Sequence, residues 1–185
     1  GDGQQSGINH FDHRGLMRRF LCSNLSLAPK LYPLIMDNVF PTFMMPQGVL
    51  SHMMRAIAAH RPGIISQVGM KTFVDPRIDG GKINDAAKAS EEEIVQLLNL
   101  NGEEYLFYPA FPLDVAIIKG SKADTKGNIS VEKEALHIEQ FEMAAAAKNS
   151  GGIVMVQVDE IVEHGQLHPQ MVTVPSALVD YVILG

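Results

Sequence analysis

Gln47 is a residue whose amide can donate to a developing negative charge without carrying charge itself. It lies in Pro46-Gln47-Gly48, after the β-forming residues Val39, Phe40 and Phe43 and before apolar residues at helical spacing, Val49, Leu50, Met53, Met54 and Ile57. A proline there suits the first turn of a helix. The first N–H groups of a helix lack internal acceptors and face whatever lies beyond the strand end. A glutamine amide beside them is a neutral donor, which fits an oxyanion that develops during reaction. The competing reading is that Gln47 only caps the helix.

Other chemistry-bearing residues offer less. Gly80-Gly81-Lys82 lies in a long glycine-, proline- and aspartate-rich stretch, Lys71–Ala86, where backbone N–H groups and one lysine can meet an anion. No helix with a GK[ST] start follows it, so it is not a P-loop. His10 and His13 are three apart and His164 and His168 four apart, in polar segments without cysteine or an HExxH frame. Zinc needs three or four convergent ligands, so scattered surface histidines are expected and no metal. Cys22, the sole cysteine, ends an apolar stretch near Arg18 and Arg19. A nucleophile there is weighed against the commoner buried thiol that packs as a small hydrophobe.

The elements that must position these residues read as mixed helix and strand. Gly15–Cys22 has helical spacing, with Leu16, Phe20 and Leu21 to one side, and a short helical piece is expected through Lys30–Asp37. Asn38–Met44 is interrupted by Pro41 and suits a short edge strand. A helix over Gln47–His60 is closed by Pro62-Gly63, and Gly63–Met70 holds a strand. Asn101-Gly102 between Ile94–Leu100 and Tyr105–Tyr108 predicts a hairpin. Asp114–Lys119 reads as a strand, Ala123–Ser130 as a turn-rich loop, and Glu132–Asn149 as the clearest helix, closed by Ser150-Gly151-Gly152. Ile153–Val158 is nearly continuous in apolar character, the pattern of a parallel strand covered on both faces. Val179–Leu184 is a last strand. The class is α/β.

With 185 residues, 46% hydrophobic and 19% charged, the chain is long enough for one folded domain. Disorder is excluded by composition, and no run approaches the roughly 20 apolar residues of a membrane span. The net charge of −6 offers no footprint for nucleic acid. One cysteine and an opening, GDGQQSGINH, without a basic and apolar leader point to a cytoplasmic protein. The glycine-rich start and the strand-like VDYVILG at the end suggest a fold cut at both ends.

Taken together, the segments resemble the family I CoA-transferases, of the acetate or propionate type related to the 3-oxoacid CoA-transferases. The resemblance rests on Met45-Pro46-Gln47-Gly48-Val49-Leu50, Arg55-Ala56, Ala58-Ala59-His60 and Pro62-Gly63-Ile64. It continues through Thr72-Phe73-Val74-Asp75-Pro76-Arg77, Gly80-Gly81-Lys82, Asn84, Glu104-Tyr105-Leu106, Ala123-Asp124, Gly127-Asn128 and Glu134-Ala135-Leu136. The last blocks are Asn149-Ser150-Gly151-Gly152-Ile153-Val154, Gln157-Val158, Leu167-His168-Pro169 and Leu178-Val179-Asp180, in family order over nearly the whole chain.

The resemblance implies an open, mostly parallel α/β sheet with flanking helices, of the type shared with sugar-phosphate isomerases. It implies transfer of CoA from an acyl-CoA to a short carboxylate by a ping-pong route through a glutamyl-CoA thioester, with CoA as substrate and no cofactor. Gln47 and Gly48 match the oxyanion and substrate-binding segment, and Thr72, Phe73, Gly80, Gly81 and Lys82 match residues near the acyl group or CoA. The family's glutamate belongs to a second, homologous half. Glu103, Glu104, Glu160 and Glu163 align elsewhere, so this chain is expected to be inactive alone and to form a homo-oligomer or join a complementary catalytic half. The chain departs from the pattern at Ser23-Asn24-Leu25-Ser26, in place of a Gly-His-Trp-Gly run, and at Lys71, in place of glycine. The reading from another class is a non-catalytic binding or assembly module derived from the fold. A nucleotide-binding α/β domain is weaker still, for want of a GxGxxG turn.

Overall fold

A computed structural model describes residues 7–185, so the glycine-rich start expected at Gly1–Gly7 lies almost wholly outside the described residues. The described residues group into two compact units: those up to residue 50 with 64–109, and residues 51–63 with 110–185.

The first unit begins with strand β1 (Phe20–Cys22), helix α1 (Tyr32–Met36) and strand β2 (Thr42–Met44). β1 and β2 pair in parallel, Phe20 opposite Thr42 and Cys22 opposite Met44. The helix expected over Gly15–Cys22 is therefore corrected to a strand. Gly15 takes a positive φ of 90°, which breaks helical entry, and Phe20, Leu21 and Cys22 gain a partner strand that outweighs weak local propensity. Leu31, Leu34, Ile35 and Phe40 form a small core beneath this pair, with α1 inside the stretch where a helix is expected. Helix α2 (Gln47–Ala58) starts after Pro46; its residues up to Leu50 count with the first unit and the rest with the second.

Strand β3 (Gly63–Ser66) is followed by a chain of turns and the one-turn helix α3 (Asp85–Lys88), capped by the Asn84 side chain. Strands β4 (Gln96–Leu100) and β5 (Glu103–Pro109) form the expected hairpin, and β5 is the middle strand of a sheet ordered β3-β5-β4. Asn101 and Gly102 both have positive φ, 53° and 86°, as a tight two-residue hairpin requires.

The second unit holds β6 (Val115–Lys119), the short antiparallel pair β7 (Lys122–Asp124) and β8 (Ile129–Ser130), and helix α4 (Gln140–Asn149). Strands β9 (Ile153–Val158), β10 (Glu160–Val162), β11 (Val172–Val174) and β12 (Tyr181–Leu184) follow. β9 lies between β6 and β12, parallel to both, and the other four strands form a second sheet, ordered β10-β7-β8-β11. The fold is mixed α/β with mostly parallel pairing, as expected, but its described strands are spread over four small sheets.

Three local expectations are corrected here. Ala123–Ser130 is a hairpin of two short strands, its turn held by Asp124, whose carboxylate accepts from the Lys126 and Asn128 backbone N–H and the Asn128 side chain. The helix expected from Glu132 starts only at Gln140. The Ser121 hydroxyl accepts from the Lys133 N–H at 2.8 Å, and Glu139 sits at φ 35°, so the first acidic residues are drawn along another path. β9 buries only Val154, Val156 and Val158, against Ala144 and Ala147 of α4; Ile153 and Gln157 on its other face are exposed. Its alternation is that of a strand covered on one face among the described residues. No helix of the described residues is long and apolar enough to cross a membrane.

Candidate functional site

Parallel strands bring their carboxyl ends to the same side, and ligands of α/β proteins gather beyond those ends. β1 and β2 stop together at Cys22 and Met44. The Met45 N–H donates to the Cys22 carbonyl at 2.9 Å and carries the pairing one residue further. Pro46 then turns the chain into α2, where Leu50 N–H donates to the Pro46 carbonyl at 3.0 Å. The amides of Gln47, Gly48 and Val49 come before that first helical bond and have no acceptor within the helix. Gln47 and Gly48 are exposed, and nothing lies within 4 Å of where a Gly48 Cβ would stand. This is open space at the positive end of a helix dipole.

The Gln47 side chain does not cap the helix. Its Oε1 accepts a hydrogen bond from the Ser23 hydroxyl, at the residue that follows β1. No described residue accepts from its Nε2. Among the described residues the amide therefore keeps two N–H donors without an acceptor, as do the first backbone amides of α2.

The loop after β3 is stitched to β2 from its other edge. Gly81 N–H donates to the Phe73 carbonyl at 2.9 Å, and the Gly81 carbonyl accepts from Met44 N–H at 2.8 Å. Ile83 N–H donates to Thr42 at 2.9 Å. Gly81 has φ 74°, and a Cβ there would lie 2.6 Å from the Met44 oxygen and 2.9 Å from Ile94 Cδ1. This glycine is thus required for close approach of backbone to backbone. Gly80 N–H donates to the Asp75 carbonyl at 3.0 Å. Both glycine amides are spent inside the loop, and in this geometry they do not form the open anion cradle that Gly80-Gly81-Lys82 suggests by composition.

The remaining candidates separate. Thr72 Oγ1 donates to the Gly69 carbonyl at 2.7 Å, closing a turn. Phe73, 41% exposed, is an apolar surface one hydrogen bond from Gly81 and two from Met44. The Lys82 ammonium donates to the Ser90 carbonyl at 2.8 Å and lines a different cleft, of about 300 Å³, with Asp79, Lys88 and Glu93. Beneath the loop, buried Asp75 accepts from Lys71 N–H at 2.9 Å and from both Nε and Nη2 of Arg77, at 2.9 and 2.8 Å; Arg77 Nη1 reaches Glu104 at 2.8 Å. The Arg77 hydrogen bonds hold the Asp75 carboxyl well below the usual carboxylate range, against the opposing effect of burial.

Sequence reasoning marked Ser23 only as the start of a departure from the family pattern, without its tie to Gln47, and missed the anchoring role of Asp75. A lone serine after a segment read as helix carries no signal, but an Asp-Pro-Arg run in a long loop does, because a carboxylate and a guanidinium two apart can close a turn. Cys22 is buried and its thiol is pushed up to about 11 by burial, so it packs as a hydrophobe rather than standing ready as a thiolate. The histidines stay scattered: His164 Nδ1 lies 2.8 Å from Asp124 Oδ2, and His168 Nδ1 accepts from Gln170 N–H. Among the described residues no group of three or more His, Cys, Asp or Glu side chains is arranged to hold a metal ion.

Comparison with known proteins bears on the whole chain. A family model described as coenzyme A transferase matches residues 11–185. Caffeate CoA-transferase of Acetobacterium woodii is 44% identical over 185 residues, all of this chain and 35% of that protein. Acetate CoA-transferase YdiF of Escherichia coli K12 is 39% identical over 184 residues, all of this chain and 34% of its own length. The chain thus spans about a third of these relatives. A crystal structure of the acyl-CoA transferase YdiF of E. coli O157:H7, as a thioester complex with CoA, superposes with a TM-score of 0.93 at 38% identity, covering all of this chain and 37% of that one.

Proposed function

The chain belongs to the coenzyme A transferase family, and from that premise we propose that it forms the oxyanion-binding part of an acyl-CoA:carboxylate CoA-transferase. One observation carries this reading: where β1 and β2 end together, exposed Gln47 at the start of α2 has its amide oxygen engaged by Ser23, which leaves its N–H donors without a described acceptor. Attack of a carboxylate on a thioester carbon pushes the carbonyl electrons onto oxygen. Donors already fixed where that charge develops lower the barrier without reorganising. Gln47 and Gly48 take this role. Phe73 offers an apolar wall for the acyl group, with Thr72, Gly80 and Gly81 shaping the loop that carries it. Lys82, turned to its own cleft, contributes at most to the CoA side.

The nucleophilic glutamate is supplied by polypeptide outside these residues, either as further chain or as a second subunit. The 26% identity with an E. coli acetate CoA-transferase subunit alpha, over 72% of that protein, supports the second arrangement as one the fold sustains. The acceptor is a short carboxylate, in cytoplasmic short-chain fatty acid metabolism, and acyl-CoA is substrate rather than cofactor.

The test combines the chain with the glutamate-bearing part of the enzyme. Given acetyl-CoA, the combination should form a hydroxylamine-sensitive CoA adduct and the 185-residue chain alone should not. Gln47→Ala should lower turnover about 10²–10³-fold with little change in the Michaelis constant for acyl-CoA. Gln47→Glu should be at least as harmful, since it sets a carboxylate against the developing charge. Normal turnover in Gln47→Ala would remove Gln47 from the active site, and a stoichiometric adduct on the chain alone would refute the missing nucleophile.

A further inference from the structure

We propose that Ser23 is a positioning residue that sets which end of the Gln47 amide faces the reacting thioester; the proposal rests on the oxyanion role of Gln47 given above. A primary amide has nearly the same shape when rotated by 180°, yet one end donates two hydrogen bonds and the other only accepts. In one orientation Gln47 stabilises an oxyanion. In the other it sets lone pairs against negative charge. The side chain has three rotatable bonds, so nothing within Gln47 selects the productive state. What selects it is the partner of the other end, and that partner is the Ser23 hydroxyl, which donates to Oε1.

Ser23 is itself held. It directly follows Cys22, whose carbonyl accepts from Met45 N–H at 2.9 Å, two residues before Gln47. The end of β1 is thereby tied to the approach to α2, and the hydroxyl comes to Gln47 from a fixed backbone. The bond also restrains a flexible side chain before substrate arrives, so less freedom remains to be lost in the transition state.

Three substitutions at Ser23 separate positioning from bulk structure, each assayed for turnover and melting temperature in the whole enzyme that contains this chain. Ser23→Ala should lower kcat roughly 3- to 10-fold, the equivalent of one neutral hydrogen bond, with the Michaelis constant for acyl-CoA unchanged. Ser23→Asp presents only acceptors, draws the NH2 of Gln47 toward itself, and should cost more than Ser23→Ala. Ser23→Thr keeps the hydroxyl and should restore most of the loss. In a Gln47→Ala background, Ser23→Ala should cost nothing further. In parallel, the side-chain ¹⁵N signal of Gln47 in the 185-residue chain should show a lower order parameter in Ser23→Ala. An unchanged order parameter, wild-type kcat in Ser23→Ala, or the same fold loss without Gln47 would each overturn the positioning role. These outcomes differ from failure of the oxyanion reading, which is normal turnover in Gln47→Ala with Ser23 intact.

Discussion

Asp75 carries the acid sensitivity of the loop that holds Phe73 and Gly81. Its buried carboxylate gathers Lys71 N–H, Arg77 N–H and two arms of the Arg77 guanidinium. With the folded-state value depressed by those bonds, the folded chain gives up this proton more readily than the unfolded chain. The stabilisation is fully present above the unfolded carboxylate value, roughly pH 4, and is lost as the pH falls below it toward the folded value. Asp75→Asn should therefore lower the melting temperature at neutral pH and flatten its fall on acidification. A variant whose melting temperature drops with acid as steeply as the parent's would show that other carboxylates carry the effect. At this scale the junction that carries Gln47 was legible, because proline between β-forming residues and a run of helical spacing is a local signal. Ser23 was not, because its meaning depends on β1 lying parallel to β2, a pairing between segments about 20 residues apart in sequence that no local pattern encodes.

Among the elements, the loop between β3 and α3 meets β2 most closely at Gly81. Gly81 needs a positive φ, and its missing Cβ leaves room for the Met44 carbonyl. Gly81→Ala should destabilise the protein by about 1–3 kcal/mol, through left-handed strain and a contact with backbone that cannot yield. Gly102→Ala is the control: it also has positive φ, but nothing lies within 4 Å of its Cβ position, so its cost should be smaller. Chemical denaturation of the two variants checks the order, and equal costs would assign the effect to backbone conformation alone. Elements set by local chemistry were readable: the Asn101-Gly102 hairpin, α2 after Pro46, and the Gly151-Gly152 close of α4. Those set by tertiary demand were not. β1 follows its partner rather than its own periodicity, and the acidic residues before Gln140 are drawn off by Ser121 and by the left-handed turn at Glu139.

On the scale of the whole molecule, one face of the β6-β9-β12 sheet stands out for its exposed apolar side chains among the described residues. The register aligns Ile117 with Met155 and Met155 with Tyr181, and Val115 with Ile153, on one side of the sheet. Ile117 is 67% exposed and Tyr181 55%, with Val115, Ile153 and Ile183 also exposed. Apolar patches of this kind mark surfaces that bind other protein. The 185-residue chain alone should associate at micromolar concentration in sedimentation, and Ile117→Lys with Ile183→Lys should restore a monomer. A parent chain that sediments as a monomer would count against the sheet face as a contact surface.

The burial of Cys22 has a practical consequence. As the chain's single thiol, it offers one point of attack for an alkylating reagent, and that point is closed while β1 and β2 stay paired. Its labelling rate therefore counts the openings that expose Cys22, whether local to β1 and β2 or part of wider unfolding. The chain carries its own clock for how often the pairing of β1 with β2 comes apart.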